Sequence, residues 1–325
     1  MESKLIAGID VSKDTLDVVY TTKKGLLHKV FKNTPEGHLN LIKEVGKGVH
    51  YVMESSGPYY LGIAIRLSMK GFSVSVENGL RVKRYIQMKG ERNKSDKKDA
   101  FHIYHYGLEQ ELKLWERPSD DQLKCRQLLT TMELYSKQRV MLKNLKHSIE
   151  YQPIQDKDQI RSVKRMLKYL ENESSKLEES LDEKIENWAP EQYRNLQTIP
   201  GIGKKISAVL IVKTDAFEKV ENHRQLISLA GMAPREYQSG TSVHKRVRIC
   251  KMGGKKIRNS MYLASMTAIR YNKPCEAMFL RMKQKGKNGK VAMIAVANKL
   301  LKQSFAIAKS GVPFDPNYQN ELITN

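Results

Sequence analysis

Cysteine is scarce in this chain: three among 325 residues, Cys125, Cys250 and Cys275, with no CxxC spacing. That excludes a disulfide framework and a zinc finger, and it points to a reducing cytosol. Long apolar runs are missing too. None reaches the ~18–20 residues that cross a bilayer, and mean hydropathy is −0.55. The opening MESKLIAGID has neither the basic head nor the apolar core of a secretion signal. No basic amphipathic helix with a Trp or Phe face is evident, so a membrane surface is a poor partner. Acid is the remaining shortage: 35 Asp and Glu stand against 57 Lys and Arg, a net charge of +22.

The excess is unevenly spread. Residues 1–118 carry 20 basic and 14 acidic residues, residues 119–190 carry 13 of each, and residues 191–325 carry 24 and 8. A field of that sign on the last segment steers polyanions and supports phosphate contacts. Nucleic acid is the expected partner.

The first third reads as α/β. Residues 4–10 form an apolar run ending in Asp10; a second run spans Leu16 to Tyr20 and a third Leu26 to Phe31. Tight spacing makes these an antiparallel meander. Thr34 and Pro35 open a helix over 35–45, His50 to Met53 is a fourth strand ending on Glu54, a helix covers 59–70, and Phe72 to Val76 is a fifth strand. Helices follow from about 79 and 96. This β-β-β-α-β-α-β order is the ribonuclease-H-like plan.

Its strand pairing predicts that Asp10 and Glu54 end side by side at the edge where open α/β sheets host their sites. Asp96 and Asp99 lie three apart at the start of the next amphipathic pattern, on one helix face. Acids near a helix start ordinarily complement its dipole. Four of them at these positions instead predict a divalent cation, Mg²⁺ or Mn²⁺, since oxygen-only ligands disfavour zinc. His102 and His105 follow at i,i+3 and read as packing residues rather than ligands.

Residues 116–190 change character. Ser119 and Gln122 form a capping-box pattern, and two apolar periodic runs flank Pro153. They predict two helices of about thirty residues in an antiparallel hairpin or coiled coil. From spacing alone the segment is a dimerisation arm or the wall of a bundle.

The basic segment, 191–325, opens with LQTIPGIGKKISAVL. Its Pro200-Gly201-Ile202-Gly203 turn before a helix is the helix-hairpin-helix pattern. Gly201 and Gly203 would let backbone amides approach a phosphate, with Lys204 and Lys205 adding charge. LAGMAPREYQSG, residues 229–240, reads as a loop. Arg235 lies within it, and Lys245, Arg246, Arg248, Lys251, Lys255, Lys256 and Arg258 crowd behind. Ser239 before Gly240 reads as a turn residue by spacing.

Together these motifs resemble the DEDD transposases of the IS-one-ten class of bacterial insertion sequences, a group with related pilin-gene invertases. The match lies in GIDVSKDTLDV, MESSGPYY, KSDKKDA, IPGIG, LAGMAPREYQSG and GGKKIRNSMYLASM, in that order. The resemblance implies a resolvase-like catalytic domain over 1–115, a coiled-coil dimerisation segment over 116–190, and a mainly α transposase domain over 191–325. It puts the acidic tetrad on Asp10, Glu54, Asp96 and Asp99, and a nucleophile on Ser239. It further implies a tetramer in which one protomer's acids meet another's serine. A non-coding bridge RNA would pair with donor and target DNA, leaving the protein to read shape and backbone. The expected function is therefore Mg²⁺-assisted DNA recombination through a phosphoserine, in the bacterial cytoplasm and on its nucleoid. Two alternatives stay open: a metal-dependent junction nuclease using water, and a non-enzymatic nucleic-acid-binding protein.

Overall fold

A computed structural model describes residues 5–318 except 24, 56, 92–94 and 240–242; it also leaves the side chains of 237–246 undescribed. The chain divides into two compact units, residues 1–117 and 118–325.

The first unit is built on one five-stranded sheet. Strands β1 (Ile6–Val11), β2 (Thr15–Thr22) and β3 (Gly25–Lys32) run as an antiparallel meander; helix α1 (Pro35–Val45) leads to β4 (His50–Glu54), and α2 (Tyr60–Met69) to β5 (Val74–Glu77). The strand order is β3-β2-β1-β4-β5, with β1, β4 and β5 parallel. That is the ribonuclease-H-like arrangement. Thr34 caps α1 by accepting from Gly37 N, and Pro35 at N1 needs no partner for an absent N–H. Ile9, Leu16, Val18, Leu41, Met53, Ile63 and Leu67 fill the core beneath α1 and α2.

Helices α3 (Gly79–Met88) and α4 (Asp96–Glu109) cover the opposite face. Val19, Val52, Val82, Tyr85, Ala100, Ile103 and Tyr104 pack there. Gly8 is what lets α4 lie so close: a Cβ at that position would stand 2.2 Å from Tyr104 N. The β5 edge is covered by the chain that follows α4, where Trp115 N donates to Val74 O at 2.7 Å.

The second unit starts with the long antiparallel pair α5 (Asp120–Glu150) and α6 (Lys157–Trp188). Ser119 caps α5 through Gln122 N, and Asp156 caps α6. Cys125, Leu129, Leu181 and Ile185 anchor one end of the pair in the unit's main core, while Ile149, Ile160 and Val163 form a small cluster at the other. Helices α7 (Pro190–Gln197), α8 (Lys204–Thr214), α9 (His223–Leu229), α10 (Lys255–Tyr271), α11 (Lys273–Gln284) and α12 (Gly289–Ser310) complete it. By length and composition alone α12 could cross a membrane. Its Val296, Ala297, Leu300 and Leu301 are wholly buried in this core, so it is a core helix.

One expectation needs correcting. The stretch read as a loop plus a basic crowd is an antiparallel ribbon, β6 (Pro234–Ser239) and β7 (Val243–Ile249). Apolar residues do alternate in β7, at Val243, Val247 and Ile249, but charge hides the period. Val247 is itself 57% exposed, so this apolar position does not announce a strand by burial.

Candidate active site

Asp10 and Glu54 occupy the C-terminal ends of two adjacent parallel strands. The register pairs Ile9 with Met53, one residue before each acid. Helix α4 crosses β1 in the reverse sense. A Cβ on Gly107 would meet Ile6 and Val52, while Gly8 meets Ala100 and Tyr104. Extending that alignment carries Asp99 over Asp10. Eight helical residues, about 12 Å at 1.5 Å each, match four strand residues, about 13 Å at 3.3 Å each. Ser95 starts α4 at this point by accepting from Lys98 N, so both Asp96 and Asp99 lie in its first turn.

The electrostatics report the same convergence. The Asp10 carboxyl is pushed up to about 6, first by burial and then by the charges of Asp99, Asp96, Glu54 and Asp17. Glu54 is also fixed by α3, because a Cβ on Gly79 would stand 2.4 Å from Glu54 Oε1. Its carboxylate therefore abuts the N-terminus of α3, where the helix dipole favours negative charge. Among the described residues, no three carboxylate, imidazole or thiolate groups are already drawn tightly enough to ligate one ion. Mutually repelling carboxylates stand apart unless a counter-charge gathers them. The donor set still fits a hard divalent cation, because its four acids offer only oxygen and Asp10 bears its neighbours' repulsion.

The histidines do other work. His102 is buried, 3.9 Å from Glu91, and His105 stacks its ring 4.4 Å from that of Phe101. Sequence reasoning missed Asp17, which stands opposite Asp10 in the β1–β2 register and is hydrogen-bonded to His28 Nε2 at 2.8 Å. It also missed Gly8 and Gly79, whose contribution is a missing Cβ.

In the second unit the basic residues divide by what holds them. Gly201, at φ +104°, packs its turn on α10, where a Cβ would meet Ala264 O at 2.9 Å. Gly203 is open, and α8 starts there with no side-chain cap. Lys205 and Lys204 reach Glu178 and Asp182 on α6, at 2.7 and 3.9 Å, and Lys256 lies 3.9 Å from Glu133. These lysines border a groove of about 620 Å³ between α5–α6 and α8–α10. Arg258 is structural: its Nη1 donates to Ala230 O and Gly253 O, tying the chain after α9 to the start of α10. Arg235 and Arg248 face each other in the ribbon register and are exposed. Lys255 is exposed in the first turn of α10. Ser239 ends β6, paired with Val243; its side chain, like those of Lys245 and Arg246, lies outside the described residues.

Residues 7–149 match a family described as "Transposase", the DEDD transposases of IS110, and residues 193–280 match one described as "Transposase IS116/IS110/IS902 family". The pilin gene-inverting protein of Moraxella lacunata is 31% identical over 324 residues, covering 96% of this chain and 98% of that protein. The chain belongs to the IS110 class of transposases. The pilin gene-inverting protein of Moraxella bovis is 30% identical over 324 residues, with the same coverage of each chain. A solved structure of Thermus thermophilus RuvC with a Holliday junction substrate covers 34% of this transposase and 99% of that chain, at 15% identity and a TM-score of 0.28. With a score that low, the strand order carries the fold assignment. As an IS110-class transposase, the protein is an enzyme that acts on DNA.

Proposed function

We propose that this IS110-class transposase cuts and rejoins DNA with Asp10, Glu54, Asp96 and Asp99 as ligands of Mg²⁺ or Mn²⁺ and Ser239 as nucleophile. The observation that carries the metal reading is the raised affinity of Asp10 for a proton, caused after burial by three other members of the same set. A group that other anions force toward protonation is one that a divalent cation relieves. When bound there, the ion supplies Lewis-acid polarisation of the scissile phosphate and charge for the leaving oxygen.

The serine step balances without an external energy source. Ser239 Oγ attacks phosphorus, a P–O bond to deoxyribose breaks, and the leaving oxygen takes up a proton as the serine hydroxyl loses one. A deoxyribose hydroxyl from the new partner strand then attacks the phosphoserine and releases Ser239. Exposed Arg235 and Arg248 face each other at the opposite end of the ribbon, four strand residues or about 13 Å from Ser239, where they would hold flanking phosphates rather than the one under attack.

The basic unit is the DNA-holding half in this reading. Helices α8 and α10 both begin on glycine with no side-chain cap and with lysines in the first turn, against their own dipoles. Phosphates satisfy both defects at once, as in a helix-hairpin-helix. Leu134, Met141, Leu145, Met166 and Tyr169 are exposed on α5 and α6. A coiled-coil contact with a second copy would cover them, giving a dimer and, in the DNA-joined complex, a tetramer. A guide RNA made from the element's flanks fits a protein whose exposed chemistry addresses backbone rather than base edges. The nuclease alternative keeps the metal and replaces the serine by water; the purely binding alternative is set aside by family membership.

The test is a denaturing gel for protein–DNA adducts, with Mg²⁺, element-end DNA, target DNA and RNA from the element's flanks. A covalent adduct present in the wild type and absent in Ser239→Ala and Asp99→Ala supports the whole reading. Cleaved DNA without adduct that persists in Ser239→Ala leaves the nuclease alone standing.

A further inference from the structure

Between α3 and α4 lies a cleft of about 540 Å³, with Glu54 and Asp99 in its lining. That volume is within the range of about 300–1,000 Å³ typical of sites for small ligands. Leu80, Val82, Ile86 and Ile103 give it an apolar wall, and Glu91, paired with Lys98, lines it as well. Leu80 is 46% exposed on the first turn of α3, at the mouth, while Ile103 is buried. Gln87 adds one amide on the rim.

The cations around the cleft are not equivalent. Arg81 is paired with Glu77, Lys89 with Glu109 and Lys98 with Glu91. Lys83, which lines the cleft, has no carboxylate partner among the described residues. A cleft that joins an apolar wall, an unpaired ammonium and a carboxylate pair matches the parts of one nucleotide: a base face, a phosphate, and a neighbouring phosphate awaiting attack.

We propose that this cleft is a nucleotide subsite. It receives the base next to the scissile phosphate, unstacked from the duplex, against Leu80, Ile86 and Ile103, with Lys83 on that nucleotide's own phosphate. Aliphatic side chains accept any base face, and the Gln87 amide can both donate and accept. The subsite therefore positions the strand without choosing its sequence. It rests on the carboxylate reading above and adds a positioning function for α3.

The test uses 2-aminopurine, which is quenched in a stack and bright when unstacked. The full chain, in chelator and with RNA from the element's flanks, is mixed with element-end duplexes. Each carries the probe at one of the two nucleotides beside the mapped cleavage position. One position should brighten about threefold or more on binding, because the cleft wall has no ring to quench it. Leu80→Asp, at an exposed position that leaves the core intact, should abolish the rise and slow Mg²⁺-dependent cleavage about tenfold. Lys83→Gln should weaken the rise. A rise at neither position, or an equal rise in Leu80→Asp, overturns the subsite. Asp99→Ala separates the two readings: cleavage surviving in that variant defeats the carboxylate site, whereas cleavage lost there beside a silent probe defeats the subsite alone.

Discussion

The β1–β4 edge and the β6–β7 ribbon hold the two halves of the proposed chemistry, and they are built in opposite ways. Asp10 and Glu54 end strands whose neighbours Ile9 and Met53 are wholly buried, under a helix that touches backbone at Gly8. Ser239 ends a two-stranded ribbon that exposes Arg235, Val247 and Arg248. One set of groups is fixed by a core and the other is carried on a surface device. The difference teaches where rigidity is spent: gathering four repelling carboxylates needs a stiff frame, whereas a nucleophile that must meet DNA and exchange strands does not.

The largest expected effect lies on the core side. Asp99→Ala should lower cleavage by about 10²–10³-fold or more, the scale of removing one transition-state stabiliser, with the circular dichroism spectrum unchanged. If Asp99→Ala retains activity while ribbon variants lose it, the comparison collapses in favour of the ribbon.

Next is Gly79→Ala. Its added Cβ meets Glu54 Oε1 and must displace that carboxylate. Cleavage should fall about tenfold or more by misplacement alone, and Mn²⁺ should bind more weakly. Gly8→Ala drives a Cβ into the α4 backbone instead, and overpacking of that kind costs about 1–3 kcal/mol in a melting experiment.

A smaller effect is the pH dependence. Asp10 has a folded-state affinity for protons above its unfolded one, near 6 against 3.8. The folded state therefore holds the extra proton between those values, and stability from this group is lost as pH rises through about 6. Asp10→Asn should consequently melt at a higher temperature than the wild type at pH 8 without metal, with the advantage vanishing at pH 4. Metal binding needs the ionised acid, so Mn²⁺ affinity should fall as pH drops below about 6.

The smallest effects belong to single cations of the basic unit. Arg248→Gln should reduce the slope of log affinity against log salt by roughly 0.9, one phosphate's worth on duplex DNA. Arg258→Gln should instead lower the melting temperature, because its hydrogen bonds go to Ala230 O and Gly253 O.

What the sequence discloses follows the same division. The sheet unit was legible because buried strands and capped helices leave periodic traces: spacing yields the element order, and the ribonuclease-H-like plan that this order matches puts Asp10 and Glu54 at adjacent strand ends. The ribbon was not, since lysine and arginine mask the alternation in VHKRVRI and the described Arg235, Val247 and Arg248 are exposed. Gly8 and Gly79 were illegible for another reason, as a residue that matters by lacking a side chain leaves no pattern. The two carbonyls that hold Arg258 Nη1 were equally illegible, because charge does not reveal which arginine also ties backbone together.

The most direct test of the central claim is Mn²⁺ binding to the full chain at pH 7.5, read by electron paramagnetic resonance. The account predicts bound Mn²⁺ in the wild type that Mg²⁺ displaces, and its loss in both Asp10→Asn and Asp99→Ala. Equal binding in all three proteins, or none in any, would contradict it.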